Sequence, residues 1–357
     1  MKSSSPYTPL PRGEGDSTIA PALPTRQKAR WEIRSALRLF AVYLALAILL
    51  YFALRNVPLG EIWNTIRGLQ LWQVMTLFGL NTFIYGLITL RWWVIVRAGN
   101  KHIPYFPLLL VRIAVFGVSY FTLGPHVGGE PLQVFYLQRK YKLSFTHATA
   151  SVIMDKLLEL LANFVLLAVG LTAVLQAGIL STSGSVSWLS LGGLVILCMW
   201  PLVHILFLYQ RKYPFSTLLR SLPFLKKDSK PVRFIAASER LAGTFCRRHM
   251  SSLISAAAIS VLGGVGMMSE FALIVKFLGI QLSSWQTIAA WTAGWLSLLA
   301  PLPGGLGALE ASQVFALGMF GVPAALAIGV ALVMRGRDLL IGGLGLFLAS
   351  RALEKQK

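Results

Sequence analysis

Residues 124–131 read Gly-Pro-His-Val-Gly-Gly-Glu-Pro, and residues 300–307 read Ala-Pro-Leu-Pro-Gly-Gly-Leu-Gly. Each run interrupts an apolar stretch; these stretches begin at about residues 106 and 284. Proline removes a backbone N–H donor, and glycine permits a tight reversal of the chain. We therefore expect each apolar stretch to be broken in its middle, with a half-helix beginning after each Gly-Gly pair.

The composition around these runs is that of a polytopic membrane protein. Of the 357 residues, 55% are hydrophobic and 13% are charged, whereas soluble domains are roughly 25% charged. A soluble globular protein and a disordered protein are both excluded. The net charge of +20 comes from basic residues between apolar segments, where membrane topology and anionic lipid headgroups account for them without nucleic acid.

Six apolar segments are long enough to cross a bilayer, since a crossing needs roughly 20 helical residues. They lie at about 37–54, 71–96, 146–176, 188–209, 252–279 and 323–348. The two interrupted stretches are interpreted as re-entrant helical hairpins, which membranes tolerate where protein or a cavity surrounds them. Full crossings remain the alternative. The predicted fold class is an all-α polytopic membrane protein with six crossings and two hairpins.

The distribution of basic residues sets the orientation. With both termini cytoplasmic, 25 of the 33 Lys and Arg residues fall on the cytoplasmic side, as the positive-inside rule requires. Residues 1–35 are predicted to be a disordered basic cytoplasmic tail, 36–350 a single transmembrane domain, and 351–357 a second cytoplasmic tail. Within the domain, residues 210–250 form a cytoplasmic basic loop. The predicted location is the cell (inner or plasma) membrane.

The sequence also repeats itself, which predicts an ancient duplication. Gln133-Val134-Phe135 matches Gln313-Val314-Phe315 at an offset of 180 residues, and a glutamate precedes each match by three positions. The Gly-Gly pairs match at an offset of 176. Three crossings separate the hairpins, so residues 71–176 and 252–348 are expected to form inverted repeats. Many secondary transporters have this plan, with a midplane site between the copies.

The two breaks are the first candidates for a binding site. The half-helix starts that follow Gly128, Gly129, Gly304 and Gly305 would present unpaired N–H groups and a positive dipole end inside the membrane. Two such ends near the midplane suit the phosphate of an anionic headgroup. The alternative is that glycine and proline only let helices kink and pack.

Glu130 and Glu310 lie at or near these half-helix starts. A carboxylate there binds a cationic headgroup or carries a coupling proton; alternatively, it only caps the positive end of the helix.

A second group of candidates consists of charged residues inside the crossings. Asp155 and Glu159 lie four residues apart in the third crossing, and Arg335, Arg337 and Asp338 lie in the sixth. Charges at this depth normally face a partner or an aqueous cavity. Because Asp155 and Arg335 are equivalent under the repeat, we expect them to pair across the pseudo-twofold axis. Such a pair either couples the two repeats or is a purely structural salt bridge. Glu270 and Arg112 are intramembrane charges with weaker context.

No feature of the sequence indicates a metal, a cofactor or a catalytic centre. The five histidines are scattered without ligand spacing, and nucleotide-binding and nucleophile-elbow motifs are absent. Cys198 and Cys246 suggest neither a disulfide framework nor a zinc site. We expect a protein without enzymatic activity, metal or cofactor.

The two motifs, together with Ser151 to Asp155, resemble the flippase-like family, which is also called the lysylphosphatidylglycerol synthase transmembrane-region family. The resemblance covers about residues 37–350. It implies transbilayer movement of a lipid, with re-entrant helices lining the path. The soluble aminoacyl transferase domain of the multiple peptide resistance factor is not found before Lys357, so lipid aminoacylation is not expected. Lys156 stands where the resemblance leads us to expect arginine.

The expected function is therefore movement of an amphipathic lipid, anionic or of polyprenyl type, between leaflets. Its partners would be membrane lipids. Two alternatives remain: a secondary transporter of a small anion, and a non-transporting accessory protein of a lipid-modifying or glycosyl-transfer enzyme. We expect Glu130→Gln and Asp155→Asn variants to insert and fold but to lose lipid movement. The oligomeric state does not follow from the sequence.

Overall fold

The computed structural model describes residues 67–99, 102–121, 128–177, 199, 202–221, 230–298, 305 and 307–354. The predicted crossing at 37–54 and the tail at 1–35 lie outside these residues. So do Gly304, residues 355–357 of the predicted C-terminal tail and most of the predicted crossing at 188–209. Among the described residues all regular structure is helical, which confirms the all-α prediction.

Four helices make up the first half of the predicted duplication. They are α1 (Leu71–Gly99), α2 (Tyr105–Phe121), α3 (Glu130–Tyr141) and α4 (Phe145–Gln176). Two shorter helices follow, α5 (Pro214–Ser221) and α6 (Lys230–Arg248). The second half consists of α7 (Met250–Phe277), α8 (Ser284–Ser297), α9 (Ala308–Gly318) and α10 (Ala324–Glu354).

Three of these helices, α1, α4 and α7, are long and apolar enough to cross a membrane. They correspond to the predicted crossings at 71–96, 146–176 and 252–279. The predicted crossing at 323–348 lies within α10, whose middle carries Arg335, Arg337 and Asp338. The number of six crossings stays a prediction.

Each interrupted stretch consists of two separate helices, as the Gly-Pro runs predict. α2 ends at Phe121 and α3 begins at Glu130; α8 ends at Ser297 and α9 begins at Ala308. Most residues of both breaks, 122–127 and 299–304, lie outside the described part of the chain. The re-entrant path therefore also stays a prediction.

The packing of the helices follows the duplicated order of the sequence. α1 packs along α7, so the first helices of the two halves meet. α2 packs along α10 and α8 packs on α4, so the second helix of each half lies against the fourth helix of the other. α3 contacts α4 in the same way that α9 contacts α10. The two halves are therefore interleaved.

The predicted basic loop contains two packed helices. Glu239 of α6 accepts hydrogen bonds from the backbone N–H groups of Phe215 and Ser216, at 3.0 and 2.8 Å, and so holds the start of α5. α6 also packs against α4. Cys246 of α6 is buried, and this burial raises the pKa of its thiol to about 11.

Candidate functional site

A cavity of about 200 Å³ lies between the helices of the two halves. Its lining includes apolar and aromatic side chains, among them Ile84, Phe271, Trp291 and Trp295. It also includes charged side chains from both halves. Among the described residues four of these are cations and four are carboxylates, so this part of the lining has no excess of positive charge.

Six charged residues from α1, α2, α3 and α4 form what we call the first charge cluster. Its deepest member is Asp155, which has no exposed surface. Its other members are the residues Arg91, Arg112, Glu130, Lys156 and Glu159. The three cations and three carboxylates balance one another.

Asp155 joins three helices through two arginines. Its Oδ1 accepts from Arg91 Nε at 2.6 Å, and its Oδ2 accepts from Arg112 Nη1 at 2.9 Å. Glu159, one turn further along α4, accepts from Arg91 Nη2 at 2.9 Å. Because buried charges of opposite sign hold one another in place, this inner part of the cluster fixes α1 and α2 against α4.

Lys156 forms the more accessible part of the same cluster. Its Nζ lies 3.1 Å from Glu130 Oε1 and 3.1 Å from Glu159 Oε1. The side chains of Lys156 and Glu130 are 29% and 25% exposed, against 4% for Arg91. A polar ligand in the cavity would therefore meet the Lys156–Glu130 pair before the buried arginines.

A second charge cluster lines the same cavity and consists of Asn81, Glu270, Arg337 and Asp338. Arg337 Nη1 donates to Glu270 Oε2 at 2.6 Å, and Arg337 Nη2 lies 2.8 Å from Asp338 Oδ1. Asn81 Nδ2 donates to Glu270 Oε1 at 3.2 Å. Two buried carboxylates thus share one arginine, which leaves this cluster with one negative charge more than it has positive.

The expected pairing of Asp155 with Arg335 is wrong. Arg335 instead holds Glu310, with Nε donating to Oε1 at 2.6 Å and Nη2 to Oε2 at 2.8 Å. The physical reason is that each residue has nearer partners: Asp155 faces arginines from α1 and α2, whereas Arg335 reaches the start of α9. Neither Arg335 nor Glu310 is among the described residues that line the cavity.

The glutamates at the two half-helix starts have matching surroundings. Glu130 Oε2 accepts from the N–H of Gly128 at 2.8 Å, and Glu310 Oε2 accepts from the N–H of Gly307 at 3.0 Å. Each is also paired with a cation from the next long helix. Each glutamate therefore accepts a backbone N–H at its half-helix start and also forms an ion pair within the protein.

The glycines of the first break are required by the geometry. Gly128 has a φ of 121°, which side chains disfavour. A Cβ on Gly129 would lie 2.4 Å from the carbonyl oxygen of Val115 in α2, and the Gly129 N–H donates to Ser119 Oγ at 2.9 Å. In the second break Gly305 also has a positive φ, of 63°.

Arg91 and Asn81 are the residues that the sequence analysis missed. Both lie in α1, a helix that is otherwise apolar, and both hold a carboxylate of another helix. The signal was available for Arg91, because an arginine inside a predicted crossing is as costly in lipid as Asp155. Asn81 gives a weaker signal, since a lone asparagine is common at helix–helix contacts in membranes.

Comparison with known proteins identifies the family of the chain. The family model described as the lysylphosphatidylglycerol synthase TM region matches residues 36–345. A UPF0104 membrane protein of Methanothermobacter thermautotrophicus is 33% identical over 105 residues, which cover 28% of this chain and 30% of that protein. No solved structure gives a significant match. The family match covers most of the chain and confirms the resemblance, and it shows that this membrane protein belongs to the lysylphosphatidylglycerol synthase TM-region family.

Proposed function

We propose that this protein moves an amphipathic lipid between the leaflets of the cell membrane. The headgroup would enter the cavity at the Lys156–Glu130 pair. The family supports a lipid-related role, because its name refers to a phospholipid and the match covers the transmembrane region.

The single observation that carries the proposal is the mixed lining of the cavity. Charged side chains and a wall with Trp291, Trp295 and Phe271 face the same space. A small hydrated anion would make no favourable contact with the aromatic side chains, and an acyl chain would make none with the charged side chains. An amphipathic molecule matches both. This comparison favours a lipid over the small-anion alternative.

The pairing of charges supports a particular way of receiving the headgroup. Every cation that lines the cavity is already held by a carboxylate. A phosphate that binds Lys156 therefore competes with Glu130 and Glu159 for the ammonium group, and a cationic headgroup competes with Lys156 for Glu130. An exchange of ion pairs leaves little net charge uncompensated inside the membrane, which lowers the cost of carrying a headgroup through it.

The interleaved halves support alternating access as the mechanism. Inverted-repeat transporters rock one repeat against the other around a fixed central site. Here the inner part of the first charge cluster would move as one unit, because Asp155 binds α1 and α2 to α4 through two buried arginines. The Lys156–Glu130 pair would remain the part that opens to the headgroup.

The proposal is tested by a leaflet-resolved assay of lipid movement. Purified protein is placed in liposomes with a fluorescent phospholipid or a polyprenyl phosphate, and dithionite reduces the reporter in the outer leaflet. We expect more than half of the fluorescence to be lost with the wild-type protein. Glu130→Gln and Lys156→Gln each upset the balance of three cations and three carboxylates in the first charge cluster, so each should slow movement by about tenfold or more. Lys276→Gln, which neutralises an exposed lysine at the end of α7, is the matched control.

The outcomes separate the candidate functions. Equal rates in Glu130→Gln, Lys156→Gln and wild type would remove the site assignment. Loss confined to the outer half for every lipid would favour the accessory role, and saturable uptake of a water-soluble anion into the vesicles would favour the small-anion transporter. Glu310→Gln is a further comparison, and because Glu310 is not among the cavity-lining residues, we expect it to reduce lipid movement less than Glu130→Gln does.

A further inference from the structure

Gln133 is a buried polar side chain for which the ion pairs of the cavity provide no partner. It lies in α3 one turn after Glu130, it lines the cavity, and it is 1% exposed. Neither its amide nitrogen nor its amide oxygen has a hydrogen-bond partner among the described residues. A buried donor or acceptor without a hydrogen bond costs about 1–3 kcal/mol. A polar ligand that forms hydrogen bonds with this amide would therefore gain binding energy.

The equivalent glutamine of the second half, Gln313, makes a hydrogen bond through its amide nitrogen, and its amide oxygen has no partner among the described residues. Gln313 Nε2 donates to the carbonyl oxygen of Ala290 in α8 at 3.1 Å. Gly294 leaves room for this contact, because a Cβ there would lie 2.3 Å from Gln313 Nε2. At the offset of 176 residues that aligns the two Gly-Gly pairs, Val118 stands in place of Gly294. The position equivalent to Gly294 therefore carries a side chain in the first half.

We propose that Gln133 recognises a hydroxyl group of the lipid headgroup, as in a sugar or another polyol. This inference rests on the proposed function, since it takes the cavity to be the place of the headgroup. An amide offers both a donor and an acceptor. A hydroxyl group satisfies both, whereas an ionised phosphate oxygen satisfies the donor only. The charge balance points the same way, because among the described lining residues each of the four cations is paired with a carboxylate.

The position of Gln133 fits a second contact to the same headgroup. Residues 130 and 133 are one helical turn apart and so lie on neighbouring positions of one face. A headgroup that displaces Glu130 from Lys156 therefore has its next polar group within reach of the Gln133 side chain. The amide atoms are buried in the structure. Contact with a headgroup therefore requires the Gln133 side chain to turn towards the cavity.

The inference is tested by binding, without any transport step. The probes are a short-chain monoglucosyl diacylglycerol, which has hydroxyl groups and no charge, and dihexanoyl phosphatidic acid, which has charge and no headgroup hydroxyl. Affinities are measured by native mass spectrometry in a detergent without sugar. We expect Gln133→Leu to bind the glucosyl lipid about tenfold more weakly than the wild type and to bind phosphatidic acid within about twofold, as expected for loss of hydrogen bonds to a neutral group.

Two controls distinguish a loss of binding from a loss of folding. Gln133→Leu removes an unpaired amide from a buried position, so its melting temperature should equal or exceed that of the wild type. Gln313→Leu removes a made hydrogen bond, so it should melt earlier and yet bind the glucosyl lipid as the wild type does.

Three outcomes overturn the inference. The first is equal affinity of wild type and Gln133→Leu for the glucosyl lipid, which would mean that Gln133 holds water only. The second is a parallel loss of affinity for both lipids, which would mean a structural role. The third is absence of glucosyl lipid binding by the wild type. Failure of lipid movement in liposomes with these binding results intact would instead count against the proposed function.

Discussion

At the scale of single residues, the two charge clusters differ in their balance of charges. Asp155 is shared by two arginines, whereas Arg337 is shared by two carboxylates. Removing one partner of a buried ion pair is costly because the other charge is stranded. Removing a surplus partner strands nothing. The structure therefore changes the expectation for Asp155, whose replacement should affect folding as well as transport.

We expect Asp155→Asn to lower the free energy of unfolding by about 3–5 kcal/mol, since Arg91 and Arg112 then share Glu159 alone. Asp338→Asn is the matched control, because Arg337 keeps Glu270, and it should cost less than about 1 kcal/mol. Both are measured by the loss of monodisperse protein after heating in detergent. Equal destabilisation by the two variants would show that the difference in charge balance does not affect the stability of the protein.

At the scale of helices, α2 and α10 meet at a contact that only glycine permits. A Cβ on Gly345 would lie 2.2 Å from the carbonyl oxygen of Ile113, and a Cβ on Gly117 would lie 2.6 Å from that of Gly342. The obstacle in both cases is backbone, which cannot move aside as a side chain can. Small residues that let helix backbones approach closely are a general feature of membrane helix pairs.

Gly345→Ala is expected to destabilise the protein by about 3 kcal/mol or more, because the overlap forces α2 and α10 apart. Gly343→Ala lies two residues away on the same helix and has open space around its added Cβ. That variant should be neutral or more stable by up to about 1 kcal/mol, as alanine favours helix over glycine. Melting temperatures in detergent measure both, and a similar fall in the two variants would contradict the close-contact argument.

The packing of α6 predicts the chemistry of its cysteine. With a thiol pKa of about 11, roughly 0.1% of Cys246 is thiolate at pH 8, against about a quarter for an ordinary thiol of pKa 8.5. In a Cys198→Ser background, alkylation by iodoacetamide at pH 8 should be at least about 100-fold slower in the folded protein than after denaturation.

The pH dependence of this alkylation tests whether the pKa of the Cys246 thiol is raised or lowered in the folded protein. Because the pKa is raised, the rate in the folded protein should keep rising about tenfold per pH unit from 8 to 10, whereas the rate in the denatured protein levels off above about 8.5. A plateau at the same pH in both states would contradict the raised pKa.

At the scale of the whole molecule, the main feature is the interleaving of the two halves. α2 packs on α10 and α8 packs on α4. The second and fourth helices of each half therefore depend on the other half for their packing. This exchange accounts for a cavity whose wall includes residues of both halves. It also means that relative motion of the halves must change the cavity, as alternating access requires.

The inversion of the two copies is tested at equivalent positions. Arg139 and Met319 are 180 residues apart, are both exposed, and lie at the ends of α3 and α9. In a background without Cys198 and Cys246, Arg139→Cys should react with a membrane-impermeant maleimide from the cytoplasmic side and Met319→Cys from the outer side. Labelling of both from the same side would show that the copies are parallel.

The sequence by itself determined the class of protein, the positions of the long helices α1, α4, α7 and α10 and the two breaks. These depend on local properties: apolar length, the missing donor of proline and the conformational freedom of glycine. It also identified Asp155, Glu159, Arg335, Arg337 and Asp338 as costly charges that need partners. Only the tertiary structure decided who those partners are. Asp155 binds Arg91 and Arg112, and Arg335 binds Glu310, because an ion pair depends on which helices pack together and at what depth. The Gln133 amide is of the same kind: its residue type was visible in the repeat, but only the packing of the described residues shows that they provide it with no hydrogen-bond partner.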